Sequence, residues 1–470
     1  MLIREVKLRI WSQDNSLIFV LFVLLTFAVY ILPNNYYSLL IIIPSLFLFL
    51  TSRNDYFWLA FFTLIFMHPI GLFSEATRSA VHRLPLFSVM SGFSFSTKDV
   101  IVTFIIIKAL FLSEMKYNVL GKDIQRIFIY ALFLIVIAVI VHQPPMNVMV
   151  NQIRSFYYFF LIIGYNNLLR DDKQIYKLMM LLMPFIILQF IDAIYFFSTG
   201  EYLLTLINPS HELKYATTVL DAQSGIMSRY LPQSLILILI TLLGGLLIST
   251  FHRNKTYFLL LAFMSYLVIV FSGTRSWTVI FGLIIIAYIY KNFKTSISYY
   301  LIITLIILIP GYFVFNHSRM AVGISTAFQR IETLKSIGHG QNAANQSLEH
   351  KMETTLKEDI GNIKKNPLTG WAFTDIKGGE DAGNFGLIAE VGFIGFFLFL
   401  VLWTRIAMLL LYGIKHTKWK EIFYVLIFVY VGLLISHFTT NRIFGLFQFP
   451  IFISFFIVTI NKIWISAHEY

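Results

Sequence analysis

Lys377-Gly-Gly-Glu-Asp-Ala-Gly-Asn-Phe-Gly386 closes the one long polar segment of the chain and leads straight into the apolar stretch Gly386-Leu-Ile-Ala-Glu-Val-Gly-Phe-Ile-Gly395. That polar segment, residues 316–385, opens after Pro310-Gly-Tyr-Phe-Val-Phe315. Outward from it in both directions the sequence consists of apolar runs separated by short polar links. Connections between such runs are usually short, so a polar segment of this length is expected to carry a task of its own.

The composition places the apolar runs in a bilayer. The chain has 470 residues, of which 58% are hydrophobic and 13% charged, with a mean hydropathy of +0.75. A soluble domain needs more polar surface than this. About fourteen runs are long enough, or nearly so, to cross roughly 30 Å of hydrocarbon as helices. They lie near 17–32, 37–51, 56–72, 98–113, 125–142, 154–169, 175–197, 230–249, 255–271, 276–291, 297–315, 386–404, 422–436 and 445–461. The sequence therefore predicts an all-α polytopic membrane protein in three parts: spans over 1–315, a large helical outer loop over 316–385, and the last spans over 386–470. The first run follows Arg4, Lys7 and Arg9 like a signal peptide, but it leads into Leu32-Pro-Asn-Asn-Tyr36 without a small-residue cleavage site and reads as an anchor helix.

Charge orients the spans. With the N-terminus inside, the inward loops collect Arg4, Lys7, Arg9, Arg53, Lys116, Lys122, Arg126, Arg170, Lys173, Lys177, Arg253, Lys255, Lys291, Lys294, Lys415, Lys418, Lys420 and Lys462, as cytoplasmic loops do. Both termini are then cytoplasmic and the long loop faces outward. The net charge of +12 is partly this bias; otherwise such an excess suggests anionic partners such as nucleic acid, lipid headgroups or phosphorylated substrates. There are no cysteines, which excludes disulfides, iron–sulfur clusters and thiolate metal sites. Within the long loop, Leu348, Met352, Leu356, Ile360 and Ile363 form one apolar stripe on a helix that Pro367 ends.

Two sets of residues point to chemistry. Arg154, Arg229, Arg275 and Arg442 each lie at the outer mouth of a run, on the face that normally avoids positive charge. Forked guanidinium donors suit phosphate oxygens at any relevant pH, and four of them converging would hold a lipid-linked diphosphate. The alternative is that each snorkels to outer-leaflet headgroups. The second set is acidic: Glu380 and Asp381 stand between glycines just before a span, placed to take a proton from a sugar hydroxyl, and Glu390 lies one turn inside the next run. No histidine pair has the HExxH spacing, and the nucleotide-binding loops and the Ser-centred elbow are missing, so neither metal, cofactor nor nucleic acid is expected.

Asn366-Pro-Leu-Thr-Gly-Trp-Ala-Phe373 followed by Asp381-Ala-Gly-Asn-Phe-Gly-Leu-Ile-Ala-Glu-Val-Gly-Phe-Ile-Gly395 resembles the O-antigen polymerase/ligase family, with its "NPL-G" turn late in a large periplasmic loop and its "E-x-G-x-x-G" at the start of the next helix. Ser272-Gly-Thr-Arg-Ser-Trp277 resembles the Ser-Arg segment of the same family. The resemblance implies a GT-C-like, metal-independent glycosyltransferase of the bacterial inner membrane. Its substrates would be undecaprenyl-diphosphate-linked oligosaccharides met at the periplasmic face, with membrane lipids and a chain-length regulator protein as partners. In this register Asp381 stands where ligases carry their catalytic His, with Ala382 in place of the usual Asn; aligning Asn384 with that Asn instead puts Gly383 there. An Asp in place of the His favours a polymerase, which joins lipid-linked repeat units, over a ligase, which moves the polymer to a lipid A core. A transporter or flippase would bury charge near the midplane and often show internal repeats; here the arginines gather at one surface.

Overall fold

Backbone N–H and C=O groups in an apolar run have no water to bond, so each run satisfies them internally as a helix. The computed structural model describes residues 20–21, 23–24, 39–66, 86–90, 93–199, 235–252, 254–271, 275–293, 356–374, 383–439 and 448–468. In order these form α1 (Leu39–Thr51), α2 (Asp55–Phe66), β1 (Leu86–Met90), β2 (Phe93–Ser96), α3 (Thr97–Phe111), α4 (Gly121–Ile137), α5 (Met146–Phe159), α6 (Leu161–Leu168), α7 (Asp172–Leu182) and α8 (Phe185–Thr199). There follow α9 (Leu235–Ser249), α10 (Lys255–Phe271), α11 (Arg275–Phe293), α12 (Leu356–Lys365), α13 (Asn384–His416), α14 (Lys420–Thr439) and α15 (Gln448–His468).

The helical reading holds in its coarse form. Among the described residues, five segments are long and apolar enough to cross a membrane: Gly121–His142, Asp172–Tyr195, Asn384–His416, Lys420–His437 and Phe449–His468. Shorter apolar helices accompany them, among them α1, α9 and α10. The runs expected at 154–169 and 175–197 are each divided, the first at Phe160 between α5 and α6, the second between α7 and α8 next to Pro184, which has no N–H to donate. The run at 297–315 and all but a few residues of the run at 17–32 lie outside the described residues. The loop helix expected over 348–363 is described from Leu356 and extends to Lys365.

One element departs from the all-α expectation. β1 and β2 pair antiparallel, Leu86 opposite Ser96 and Phe87 opposite Phe95, with an irregularity between Ser88 and Met90. Phe93-Ser-Phe-Ser96 alternates apolar and polar residues at the period of a strand, a signal that a search at helical period passes over.

The core forms around α9. Every residue of α9 is buried, and the helix packs against α7, α10, α14 and α15. A helix apolar on all sides belongs inside a bundle. Helix α4 is the opposite case: Ile129, Leu132, Phe133 and Val136 are exposed along it, an apolar face suited to lipid.

Helix contacts sort the charges to two ends. At one end the Lys108 ammonium meets Asp55 at 2.6 Å and also bonds the carbonyls of Phe49 and Ser52 at the close of α1. There, too, Arg405 pairs with Asp123 at 2.6 Å, and Lys116, Lys122 and Lys420 lie nearby in sequence. A buried amide network ties this end together. Asn461 of α15 accepts from Val119 N at 2.9 Å and donates to Tyr117 O at 3.2 Å and to Asn166 Oδ1 at 2.9 Å. Asn166 and Asn167 in turn hold the backbone of Lys116. Leucine at position 461 fills the space but leaves these buried groups unpaired, at about 1–3 kcal/mol for each. Asn461→Leu should therefore lower the thermal unfolding midpoint of the detergent-purified protein; an unchanged midpoint would show that water replaces the amide.

Candidate functional site

Helix α13 is broken. Gly392 takes φ 68° and ψ 178°, so the backbone groups on either side of it lose their helical partners. The turn 366–374, which follows α12 where Pro367 stops it, supplies replacements. Trp371 N donates to Ala389 O and Ala372 N to Glu390 O, both at 2.9 Å; in return Phe393 N donates to Pro367 O at 2.8 Å and Ile394 N to Leu368 O at 3.3 Å. Two glycines permit this approach. A side chain on Gly370, at φ 63°, would begin 2.6 Å from the carbonyl of Glu390, and one on Gly392 would overlap the carbonyl of Leu368. The two short motifs 366–373 and 386–395 are thus one interlocked structure.

Three neighbours clamp the interlock. Tyr130 of α4 donates its hydroxyl to Val391 O at 2.7 Å. Helix α4 ends in a π turn, Ala138–His142, which sets the His142 ring 5.4 Å from that of Trp371. Phe156 of α5 meets Phe373 edge-on at 5.0 Å. The indole N–H of Trp371 donates to Asn362 O at 3.1 Å and so fastens α12 to the turn.

Arg154 stands on α5, less than a turn before Phe156. Its Nε donates to both carboxylate oxygens of Asp99 at 3.1 and 3.2 Å. Tyr158 adds a hydroxyl donor to the same carboxylate at 2.9 Å, and the Tyr157 hydroxyl lies 2.5 Å from that of Thr103. Asp99 opens α3, adjoining Lys98, and both are buried. Read alone, the sequence shows Arg154 without its partner, because the carboxylate comes from a different helix. The signal was the Lys98-Asp99 pair at the very start of an apolar run.

The other expected site residues divide as follows. Glu390 lies at the break of α13, half-buried, its carbonyl engaged by Ala372. Arg275 is the first residue of α11. Beside that helix end Trp277 meets Phe449 of α15 at 6.1 Å, and further along α15 Ser454 donates to Phe159 O of α5 at 3.0 Å. Arg229, Arg442, Glu380 and Asp381 lie outside the described residues. Tyr158 and Trp277, near these mouths, are buried in helix packing.

Two buried groups join the same end without having been anticipated. His437, near the close of α14, is buried with neither ring nitrogen hydrogen-bonded. Asp359 of α12 is fully buried, and neither carboxylate oxygen has a hydrogen-bond donor. Burial, and secondarily the charge of Glu358, push the Asp359 carboxyl up to about 7. The apolar stripe of α12 thus includes an acid.

The fold marks the chain as a multi-helix membrane protein by the length and composition of its helices. No known protein-family model matches the sequence, and no curated protein is similar to it.

Alanine at Gly392 adds a backbone penalty on the order of 1–3 kcal/mol for the left-handed conformation, and the overlap with Leu368 comes on top of it. Gly392→Ala should therefore reduce both the yield of monodisperse protein and its unfolding midpoint, read by size exclusion and thermal shift; wild-type values would mean that the turn is not seated in the break. Asp359 sets a pH dependence. Its folded-state pKa of about 7 exceeds the ordinary 3.8, so the native state keeps a proton that the unfolded chain releases, and its contribution to stability is lost as pH rises through that interval. Asp359→Asn should flatten the fall in unfolding midpoint between pH 5 and pH 8; a slope unchanged by the substitution assigns the dependence to another group.

Proposed function

We propose that this protein is an O-antigen or surface-polysaccharide polymerase that transfers a growing glycan from undecaprenyl diphosphate to a lipid-linked repeat unit at the periplasmic face of the bacterial inner membrane. The observation that supports the reading most is the interlock. The two segments that resemble the polymerase/ligase family, 366–373 and 386–395, are joined by backbone hydrogen bonds, and the helix carrying Arg154 packs beside them. Two short motifs matched by chance have no reason to bond each other. The charge distribution adds to this, since the helix end rich in Lys and Arg is the one expected to face the cytoplasm.

In the proposed reaction the acceptor sugar hydroxyl attacks the anomeric carbon of the donor. Its proton passes to Asp381, or to the neighbouring Glu380, as general base. The bond from the anomeric carbon to the diphosphate oxygen breaks, and undecaprenyl diphosphate departs with the electron pair. A diphosphate is a good leaving group once its charge is held, and that is the work assigned to Arg154, Arg229, Arg275 and Arg442. Glu390 steadies the arginines from the break in α13.

The test is a gel of surface polysaccharide from cells deleted for the gene and complemented with variants. Wild type should restore the ladder, and Asp381→Asn should leave single repeat units on the core, with the protein still in the membrane. A normal ladder from Asp381→Asn removes the base assignment. Loss of every repeat from the core in the deletion strain identifies a ligase, and retained cytoplasmic-side intermediates identify a flippase.

A further inference from the structure

We infer that Arg126 of α4 and Arg405 of α13, bracketing Asp123 and joined by Lys122, bind the phosphate of an anionic phospholipid whose acyl chain lies along the exposed face of α4. The site does not depend on the reaction proposed above; it belongs to the lipid-facing surface of the bundle at its basic end.

Charge comes first. The two oxygens of the Asp123 carboxylate meet different guanidiniums, Oδ2 that of Arg405 at 2.6 Å and Oδ1 that of Arg126 at 3.5 Å. One negative charge thus sits between two positive ones. Among the described residues neither arginine has another acidic partner, and the exposed Lys122, next to Asp123, has none. The Asp123 side chain is only 2% exposed, whereas those of Arg126 and Arg405 are 62% and 38% exposed. The carboxylate is therefore closed off while both guanidiniums stay open to a ligand. Each spends one terminal nitrogen on Asp123, which leaves further N–H donors in the forked arrangement that matches phosphate oxygens.

The neighbouring surface selects the owner of the phosphate. Lys122, Arg126, Ile129, Phe133 and Val136 follow one another at intervals of four, three, four and three residues, which sets them along one face of α4. All five are exposed. The line is basic where the helix begins and apolar from Ile129 onward. From Arg126 to Val136 the helix rises about 15 Å, half of the roughly 30 Å hydrocarbon core and so the depth of one leaflet. A free phosphate would use the basic turn and leave the apolar face unmatched, whereas an anionic phospholipid fits both the charge and the length. A zwitterionic headgroup carries a cation of its own, which three basic side chains repel.

The experiment uses the full chain in detergent, titrated with phosphatidylglycerol or with phosphatidylcholine and read by native mass spectrometry as retained lipid. Wild type should retain phosphatidylglycerol in preference. Arg126→Gln and Lys122→Gln should each weaken that binding about fivefold, the worth of one charge near a membrane surface, and Arg126→Lys should keep most of it. Arg405 is left in place, since its removal would strand the buried Asp123. Lys255→Gln, which removes the exposed basic residue that opens α10, should leave the preference unchanged. Equal retention of the two lipids by wild type overturns the site. So does a loss in Lys255→Gln as large as that in Arg126→Gln, which would assign the attraction to basic charge in general. Full retention by a normally eluting Lys122→Gln/Arg126→Gln double variant overturns it as well. Glycerol phosphate, the anionic group without chains, should fail to displace the lipid at equal concentration; displacement would show that the face of α4 takes no part and that the site holds a free phosphate.

Discussion

A peptide group without a hydrogen bond is costly in a low-dielectric interior, and the break at Gly392 leaves several such groups beside one another in α13. The rest of this end of the molecule follows from meeting that demand. The turn 366–374 has to come close enough to exchange four backbone bonds, so Gly370 and Gly392 lack side chains; it has to be held there, and Asn362 of α12, Phe156 of α5 and Tyr130 of α4 hold the turn and its partner segment of α13 from three helices. Irregular backbone at membrane depth is tolerated where protein surrounds it or a cavity adjoins it. A segment that is polar in sequence is thereby built into the body of the bundle.

The buried charges obey a similar economy. Lys108 with Asp55, Arg405 with Asp123, and Arg154 with Asp99 each unite residues from different helices. Each pair fixes a level at which two helices meet, because sliding either helix by a turn would strand both charges. The first two pairs lie at the strongly basic end, and the third lies at the end that holds the broken helix. Asp123 also meets Arg126 of its own helix at 3.5 Å.

Much of the architecture could be read from hydropathy. The runs at 255–271 and 37–51 correspond closely to α10 and α1, since a long apolar stretch has one inexpensive backbone solution in lipid. The hairpin at 86–96 escaped notice because its alternation is short and follows no long polar break. The divisions at Phe160 and beside Pro184 fall inside uninterrupted apolar sequence, where composition carries no boundary. In the site, position 154 was visible as a charge at a mouth. Its partner Asp99 was not, because pairing across helices depends on packing that spacing does not encode. The link between 366–373 and 386–395 was legible only as a pair of motifs; the backbone bonds that unite them involve no side-chain pattern beyond the two glycines.

The π turn at Ala138–His142 has a consequence for how this end of the molecule tolerates change in length. A π turn accommodates one residue more than an α-helical turn, and each residue rotates the helix by about 100°. Deleting a single residue from this turn would restore a regular α-helical turn and remove the wider turn that sets His142 beside Trp371. The contact of His142 with Trp371 is thus keyed to a one-residue count at the end of α4. Substitutions along the exposed apolar face of α4 leave that count untouched, whereas insertions and deletions there alter it.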